Sequence, residues 1–485
     1  MVSSYQEYLG FARRIGLVAA TNIFLALQQV LLIPILTKNL PVADYGIWVQ
    51  IIVAIGLITS VIMLGLPYTM VRFLAAESSK DEIREGFYSI AGVIFCTSII
   101  TSVFLWFFSD YFAALLFNGN VFAVKILAII VFFESMISII VNVFRTFQQI
   151  KRYSLLLIFK NLLNLTLISL LISFHFGLIG ALLGFLISDI ISFTIIYLFI
   201  YHEIGFYIPL FSKIKEYLAF GLPTIPSNFS SWIVTASNRF VIGIFLGASF
   251  VGYFNPGVQL ANVISMLTAP ISFLLPAALS KYHDECQPEK VATLMEYSLK
   301  FLLMITIPAA FGLAILSKPI LTILSTPEIA SEGYLVTPIV VFGGIFMCIY
   351  VILMQVFILK KRTMITAKIW MFAAVFTLAA NIVLIPTFGI LGAALTYSLT
   401  YLLVLIVTYL ISRKYITFNL NLSYIGKYIF ASLAMSTLIL VYSPHSLLQI
   451  CIFIGFSIPI YFMFLFLLKG IKTEEIHLIR ELVKI

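Results

Sequence analysis

The chain has 485 residues, of which 62% are hydrophobic and 10% are charged, and its mean hydropathy is +1.12. A soluble chain of this length needs many more polar residues to cover its surface, so the composition indicates a protein that is solvated by lipid. The formal net charge of +9 does not indicate a nucleic-acid partner, because the basic residues are spread thinly between apolar runs.

Apolar runs recur almost to the end of the chain, and a helix of about 20 such residues spans the hydrocarbon core of a bilayer. We therefore predict an all-α membrane protein with about fourteen transmembrane helices joined by short connections. The predicted spans are 13–37, 46–74, 87–108, 122–147, 153–174, 177–200, 216–247, 249–279, 291–316, 333–358, 363–385, 388–411, 424–442 and 447–468.

Lysine and arginine residues fall mostly on one side of these predicted helices, which indicates the cytoplasmic side. The opposite side carries only Lys38, Lys125 and Lys318. We therefore predict a multi-pass protein of the cytoplasmic membrane with both termini in the cytoplasm. The basic side carries Lys80, Arg84, Lys151, Arg152, Lys213, Lys215, Lys281, Lys290, Lys360, Lys361, Arg362, Arg413, Lys414, Lys469, Lys472, Arg480 and Lys484.

Internal matches indicate two similar halves. We predict an N-terminal six-helix bundle over 1–200, a C-terminal six-helix bundle over 201–412, and two additional helices with a cytoplasmic tail over 413–485. Since six is even, the halves have the same orientation and are related by an axis along the membrane normal. The matched pairs are Asn22/Asn228, Leu40/Leu246 and Gly46/Gly252 at a shift of 206 residues, and Phe176/Phe388 at a shift of 212.

Polar side chains inside apolar helices are costly in lipid and are tolerated where they face a cavity or a partner. The seventh predicted helix has a polar stripe at helical spacing that ends in Arg239, and Pro223 and Pro226 predict a break near its start. Polar faces also occur on the first and eighth helices. We predict a substrate chamber lined by Arg239, Asn228, Thr235, Asn238, Asn22, Gln29, Asn255 and Gln259. The alternative is that these groups form hydrogen bonds between helices.

Other charges lie outside this stripe. For Glu134 and Asp189, near the middle of helices four and six, a neutral carboxyl group or an internal ion pair is one interpretation and a coupling-ion site is the other. The basic residues near cytoplasmic helix ends are expected to extend to the lipid headgroups, namely Arg72, Arg145, Lys160, Lys300 and Lys368. The four cysteines have no ligand spacing, so we expect no metal.

Short segments at 40–48, 144–152, 238–253 and 381–394 carry a family resemblance. With them, the arrangement of six, six and two helices resembles the multidrug/oligosaccharidyl-lipid/polysaccharide (MOP) exporter superfamily. Within it, the chain is most similar to the polysaccharide-transport (Wzx-like) flippases of lipid-linked oligosaccharides. Many members have Asp where this sequence has Asn238, which argues against ion coupling at that position.

The resemblance implies a MATE-like fold and a transporter that flips a polyprenyl-pyrophosphate oligosaccharide to the outer leaflet by alternating access. Membrane lipids, a polysaccharide polymerase and chain-length machinery are the implied partners, and the last two helices are the implied lipid groove. One alternative is a proton- or sodium-coupled multidrug exporter, which favours carboxylates in its cavity. Another is a membrane glycosyltransferase or polymerase, but the outer connections are short and contain no acid/base pair. We expect no enzymatic activity and no cofactor.

Overall fold

A computed structural model describes residues 2–77, 79–416, 422–441, 444 and 446–470, with the backbone alone at 2–15, 270, 273, 274, 277, 422, 438, 439 and 441. Helices dominate this part of the chain, and twelve of them are long and apolar enough to cross a membrane. The predicted all-α, multi-pass membrane fold is confirmed, whereas the number fourteen stays a prediction.

The first half of the chain begins with α1 (Val2–Thr37), α2 (Val42–Ile62), α3 (Leu66–Phe73), α4 (Lys80–Phe107), α5 (Ser109–Leu116), α6 (Val121–Thr146), α7 (Ile150–Ser173), α8 (Gly177–Ile204), α9 (Ile214–Gly221) and α10 (Ile225–Leu246). It is followed by α11 (Ala248–Ala261), α12 (Val263–Met266), α13 (Ala269–Asp284), α14 (Pro288–Leu324), α15 (Pro327–Gly333), α16 (Val336–Leu353), α17 (Gln355–Leu359), α18 (Thr363–Phe388), α19 (Ile390–Ser412), α20 (Leu422–Val441) and α21 (Leu447–Leu467).

The break predicted at the start of the seventh span is confirmed. α9 ends at Gly221, a 3-10 turn covers Leu222–Thr224, and α10 begins at Ile225. Pro223 and Pro226 are the second residues of the turn and of α10, within the first turn of a helix, where a missing N–H group is tolerated.

The eighth predicted span, 249–279, is wrong as one continuous helix. The structure divides it into α11, α12 and α13, with turns at Asn262 and Thr268. A proline near the start of α13 contributes to the second turn, because it has no N–H group to continue the helix.

The structure consists of two compact units. The first includes Met1–Asn255 and Ala374–Gly389, and the second includes Pro256–Ala373 and Ile390–Ile485. The predicted division after residues 200 and 412 stays a prediction. The basic tail residues Lys472, Arg480 and Lys484 lie outside the described residues.

Within the first unit, the two glycines that the internal repeat matches contact each other's helices reciprocally. A methyl group on Gly46 of α2 would lie 1.8 Å from the carbonyl oxygen of Ala248, and one on Gly252 of α11 would lie 2.6 Å from that of Val42. Ala248 and Val42 are the first residues of α11 and α2, so the shift of 206 residues also relates these two contact points. The close approach of the two helices therefore requires glycine at both positions.

A second pair of glycines, each next to one of the matched residues Phe176 and Phe388, lies at the starts of two helices. Gly177, at the start of α8, has φ +58°, and Gly389, just before α19, has φ +61°. Both backbones are in the left-handed region, which glycine adopts without a steric penalty. The 212-residue match therefore relates two turns of the same conformation.

Candidate functional site

The polar stripe of α10 ends in a buried hydrogen-bonded cluster around Arg239, which is 6% exposed. Its Nε donates to Asn255 Oδ1 at 3.2 Å, and its Nη1 donates to the Thr235 carbonyl oxygen at 2.9 Å and to Asn238 Oδ1 at 3.2 Å. The guanidinium carbon lies 5.9 Å from the ring centroid of Phe254, within the range of a cation–π contact. Amide oxygens and an aromatic face thus solvate a charge that lipid cannot solvate.

Asn255 connects this cluster to a third helix. Its Nδ2 donates to the hydroxyl oxygen of Tyr45 at 3.0 Å, and Tyr45 is only 2% exposed. The network therefore joins α10, α11 and α2, and it fixes the orientation of the Arg239 side chain. Tyr45 was not among the predicted site residues, although it lies in the segment 40–48 that carries the family resemblance.

Gln50 is a second residue of this region that was not among the predicted site residues. It is fully buried on α2, and neither its Nε2 nor its Oε1 has a hydrogen-bond partner among the described residues. A methyl group on Gly243, one turn beyond Arg239 on α10, would lie 1.8 Å from the Gln50 amide nitrogen. Gly243 therefore leaves the space that this amide occupies. A buried amide without a partner is costly, so it is a candidate for contact with a polar ligand.

The remaining predicted chamber residues are not all in this cluster. Thr235 is exposed, and Asn228 is half-buried toward the start of α10. Asn22 and Gln29 are exposed on α1, a helix that packs against α7. Gln259 is half-buried, one turn beyond Asn255 on α11. The structure thus brings the side chains of Arg239, Asn238 and Asn255 together with the carbonyl oxygen of Thr235. Among the described residues, the side chains of Asn228, Asn22, Gln29 and Gln259 take no part in these hydrogen bonds.

The two predicted intramembrane acids share one lysine. Lys160 Nζ of α7 lies 2.5 Å from Glu134 Oε1 of α6 and 3.4 Å from Asp189 Oδ1 of α8. The Lys160 side chain is 12% exposed, so the expectation that it extends to the headgroups is wrong. Two acids attract the ammonium group inward more strongly than the interface does. The 3.4 Å contact is an ion pair without hydrogen-bond geometry, and Asp189 is fully buried.

The second unit contains an apolar groove of about 510 Å³ formed by α12, α14, α20 and α21. Each of these helices contributes to the lining of the groove, for example through Val263 of α12, Pro308 of α14, Met435 of α20 and Ile458 of α21. Among the described lining residues, polar side-chain groups belong only to Ser457 and to a tyrosine whose hydroxyl group is already used. This groove can hold hydrocarbon and offers little to a polar ligand.

The tyrosine of the groove is Tyr461 of α21. Its hydroxyl group donates to the carbonyl oxygen of Met304 on α14 at 2.8 Å. The hydrogen bond attaches one of the last two helices to α14, so the groove has a fixed wall.

The sequence matches a known family over residues 35–328, which is more than half of the chain. That family is described as "Polysaccharide biosynthesis protein". The chain belongs to this family. The membership predicted from the short segments is therefore confirmed.

Two proteins with sequences similar to this chain have descriptive names. "Probable low-salt glycan biosynthesis flippase Agl15" of Haloferax volcanii is 23% identical over 264 residues, which are 53% of this chain and 54% of the relative. "Capsular polysaccharide biosynthesis protein CapF" of Staphylococcus aureus is 24% identical over 351 residues, which are 71% of this chain and 86% of the relative. The chain thus matches about half the length of the first relative and most of the second.

Solved structures confirm the fold. "Lipid II flippase MurJ, inward closed conformation" matches with a TM-score of 0.77 at 19% identity, over 92% of this chain and 97% of that chain. A multidrug resistance MATE family transporter of the MOP superfamily, in an inward-facing conformation, matches with a TM-score of 0.61 at 16% identity, over 81% and 94%. The predicted MATE-like fold is therefore confirmed.

Proposed function

We propose that this protein moves a polyprenyl-pyrophosphate-linked oligosaccharide from the cytoplasmic to the outer leaflet by alternating access, for cell-surface polysaccharide synthesis. The names of the two relatives support this class of cargo. The cargo crosses the membrane unchanged, so the proposal includes no chemical step and no cofactor. Its ligands are the lipid-linked oligosaccharide and membrane lipids, and a polysaccharide polymerase with chain-length machinery stays a predicted partner.

The observation that carries this proposal is the apolar groove between α14 and the last two helices. A lipid-linked oligosaccharide combines a long hydrocarbon tail with a polar head, so its carrier needs an apolar surface beside a polar path. Burial of each CH₂ group of the tail contributes about 0.8 kcal/mol where it leaves water. The groove supplies that apolar surface, and α20 and α21 form part of its wall.

Arg239 is the residue that we propose for the pyrophosphate. A guanidinium group presents a planar fork that matches phosphate oxygens. In this conformation Arg239 is buried, whereas the Thr235 side chain, one turn earlier on the same face, is exposed. We therefore propose that the cargo reaches Arg239 in a more open conformation of the transport cycle. The other predicted chamber residues, Asn228, Asn22, Gln29, Gln259, Asn238 and Asn255, stay predictions.

Filling the groove is expected to slow transport without unfolding the protein. Gly312 lines the groove, and a methyl group added there would meet no described atom within 4 Å. Gly312→Phe therefore places a ring in the space proposed for the tail, and we expect the rate to fall by about tenfold or more. The measurement is the transfer of a fluorescent polyprenyl-pyrophosphate oligosaccharide between the leaflets of liposomes that contain the purified full chain, followed by chemical quenching from outside.

Gly455→Phe is the matched control. Gly455 lies on α21, is exposed, has equally open space around it and does not line the groove. Equal rates for the two variants would contradict the groove assignment. Absence of transfer by the unmodified chain, together with export of cationic dyes driven by a proton or sodium gradient, would instead favour the multidrug-exporter alternative.

The orientation is tested by labelling of introduced cysteines. In a chain whose native Cys96, Cys286, Cys348 and Cys451 are replaced, we expect Lys361→Cys to resist an impermeant maleimide in intact cells, because the basic connections lie in the cytoplasm. Lys38→Cys, exposed on the predicted outer side, should react under the same conditions. Labelling of Lys361→Cys before permeabilisation would reverse the proposed topology.

A further inference from the structure

A hollow of about 530 Å³ lies in the first unit, at the ends of α3 and α6. Arg72 in the last turn of α3 and Arg145 in the last turn of α6 both line it. Tyr68 and Phe220 add two aromatic side chains, 49% and 43% exposed. Alanines complete part of the wall, so short side chains leave the space open. We call this feature the arginine hollow.

Buried polar contacts hold α3 in place against α6. Asn142, one turn before Arg145, is 7% exposed, and its Nδ2 donates to the carbonyl oxygen of Pro67 at 3.1 Å. Pro67 lies in the first turn of α3. The side-chain amide thus connects the helix that carries Arg145 to the start of the helix that carries Arg72. This contact holds both guanidinium groups at the same hollow.

A second buried contact attaches the aromatic wall. Thr69 of α3 is fully buried, and its hydroxyl group donates to the carbonyl oxygen of Tyr217 on α9 at 3.1 Å. The ring of Phe73 lies edge-on to that of Phe220, with centroids 5.5 Å apart. These contacts position α9, and with it Phe220, beside α3.

The backbone just before α3 also allows a close approach to the end of α9. Gly65 has φ +72°, and a methyl group there would lie 2.2 Å from the carbonyl oxygen of Gly221 at the end of α9. Only glycine fits this position, because of both its conformation and the close approach of the neighbouring backbone. The walls of the arginine hollow are thus fixed by buried groups, although its opening is exposed.

The charge of the hollow is positive. Among the described residues, no acid lines it, and neither Arg72 nor Arg145 forms an ion pair or a side-chain hydrogen bond. Glu77, which follows the lining alanines in sequence, lies 3.1 Å from Lys213 Nζ and is engaged there. Two guanidinium groups therefore face a space with an apolar, aromatic wall, at the predicted membrane–water interface.

We propose that the arginine hollow binds a phosphate group carried by a membrane lipid, with the two guanidinium groups on the phosphate oxygens and the aromatic wall on the first carbons of the lipid chain. We assign this phosphate to the pyrophosphate of the cargo, and this assignment rests on the function proposed above. The hollow would hold the pyrophosphate at the cytoplasmic interface before the cargo reaches Arg239. Paired guanidinium groups suit a pyrophosphate, because each can bind oxygens in bidentate geometry.

The test uses the purified full chain in neutral detergent and farnesyl pyrophosphate as the probe. We expect Arg72→Gln with Arg145→Gln to weaken binding of the probe by about tenfold or more. Lys80→Gln with Lys151→Gln is the matched control, because both lysines are exposed on the same basic side and the change in net charge is equal. Ala75→Trp, which fills the hollow and keeps both charges, should also weaken binding.

The other arms identify the source of the phosphate. Competition by phosphatidylglycerol at equal affinity would retain the lipid-phosphate site and overturn its assignment to the cargo. Equal binding of inorganic pyrophosphate would overturn the role of the lipid chain. Equal affinity of the arginine and lysine double variants for farnesyl pyrophosphate, at unchanged melting temperatures, would overturn the site. The binding assay does not depend on transport. A failure of the proposed transport function is therefore distinguishable from a failure of the arginine hollow to bind the probe.

Discussion

Lys160→Met is expected to destabilise the protein strongly. The substitution leaves Glu134 and Asp189 close together in the membrane-spanning part of the first unit without the ammonium group that now contacts both. Removing one partner of a buried ion pair typically costs about 3–5 kcal/mol, because the remaining charge is neither solvated nor paired. We expect a large fall in the melting temperature of the purified protein, measured by fluorescence-detected size-exclusion chromatography after heating.

Rescue of the same variant separates the ion pairs from simple loss of packing. Adding Glu134→Gln and Asp189→Asn to Lys160→Met should restore most of the stability, because the three-residue cluster is then neutral. Lys151→Met, an exposed position on the same helix, is the control and should have little effect. If Lys160→Met melts like Lys151→Met, the ion pairs do not stabilise the fold. If the triple variant stays as unstable as Lys160→Met, packing dominates.

The sequence predicts those structural features that depend on local chemistry. Pro223 and Pro226 predict the break between α9 and α10, because proline has no N–H group to donate. The repeat of Gly46 at Gly252 indicates two similar halves, and the structure has both glycines in a reciprocal pair of helix contacts. Hydrophobic length predicts the twelve candidate spans that the described residues contain.

The sequence did not predict the features that depend on contacts between distant segments of the chain. Lys160 lies 26 residues from Glu134 in the chain, and no spacing rule connects residues on different helices. The position of Lys160 near a helix end favoured the headgroups, but the half-buried Glu134 and the fully buried Asp189 outweighed that preference. Tyr45 was missed for the same reason, since its partner Asn255 is 210 residues away. Arg72 and Arg145, 73 residues apart in the chain, share a hollow where Asn142 of α6 bonds to the start of α3.

Arg239→Gln is expected to abolish transport, and the structure supplies a control for the hydrogen-bonded cluster that it disturbs. Arg239 bonds to Asn255, and Asn255 bonds to Tyr45, so loss of Arg239 weakens packing as well as removing a charge. Tyr45→Phe removes the hydroxyl group that accepts from Asn255 and leaves the charge of Arg239 in place. The two variants therefore disturb one network, but only Arg239→Gln removes the group proposed to bind the pyrophosphate.

We expect Tyr45→Phe to lower the melting temperature and to keep most of the transport rate, since a typical hydrogen bond contributes about 1 kcal/mol to stability. Arg239→Gln should reduce the rate by about a hundredfold or more, because charge-assisted hydrogen bonds to phosphate are about twice as strong as neutral ones and two or more are lost. Arg239→Lys should retain part of the rate, since it keeps the charge and loses the fork. The measurement is the leaflet transfer of the fluorescent lipid-linked oligosaccharide, at equal amounts of folded protein. If Arg239→Gln and Tyr45→Phe transport equally well, Arg239 serves the packing of α10, α11 and α2 and does not bind the cargo.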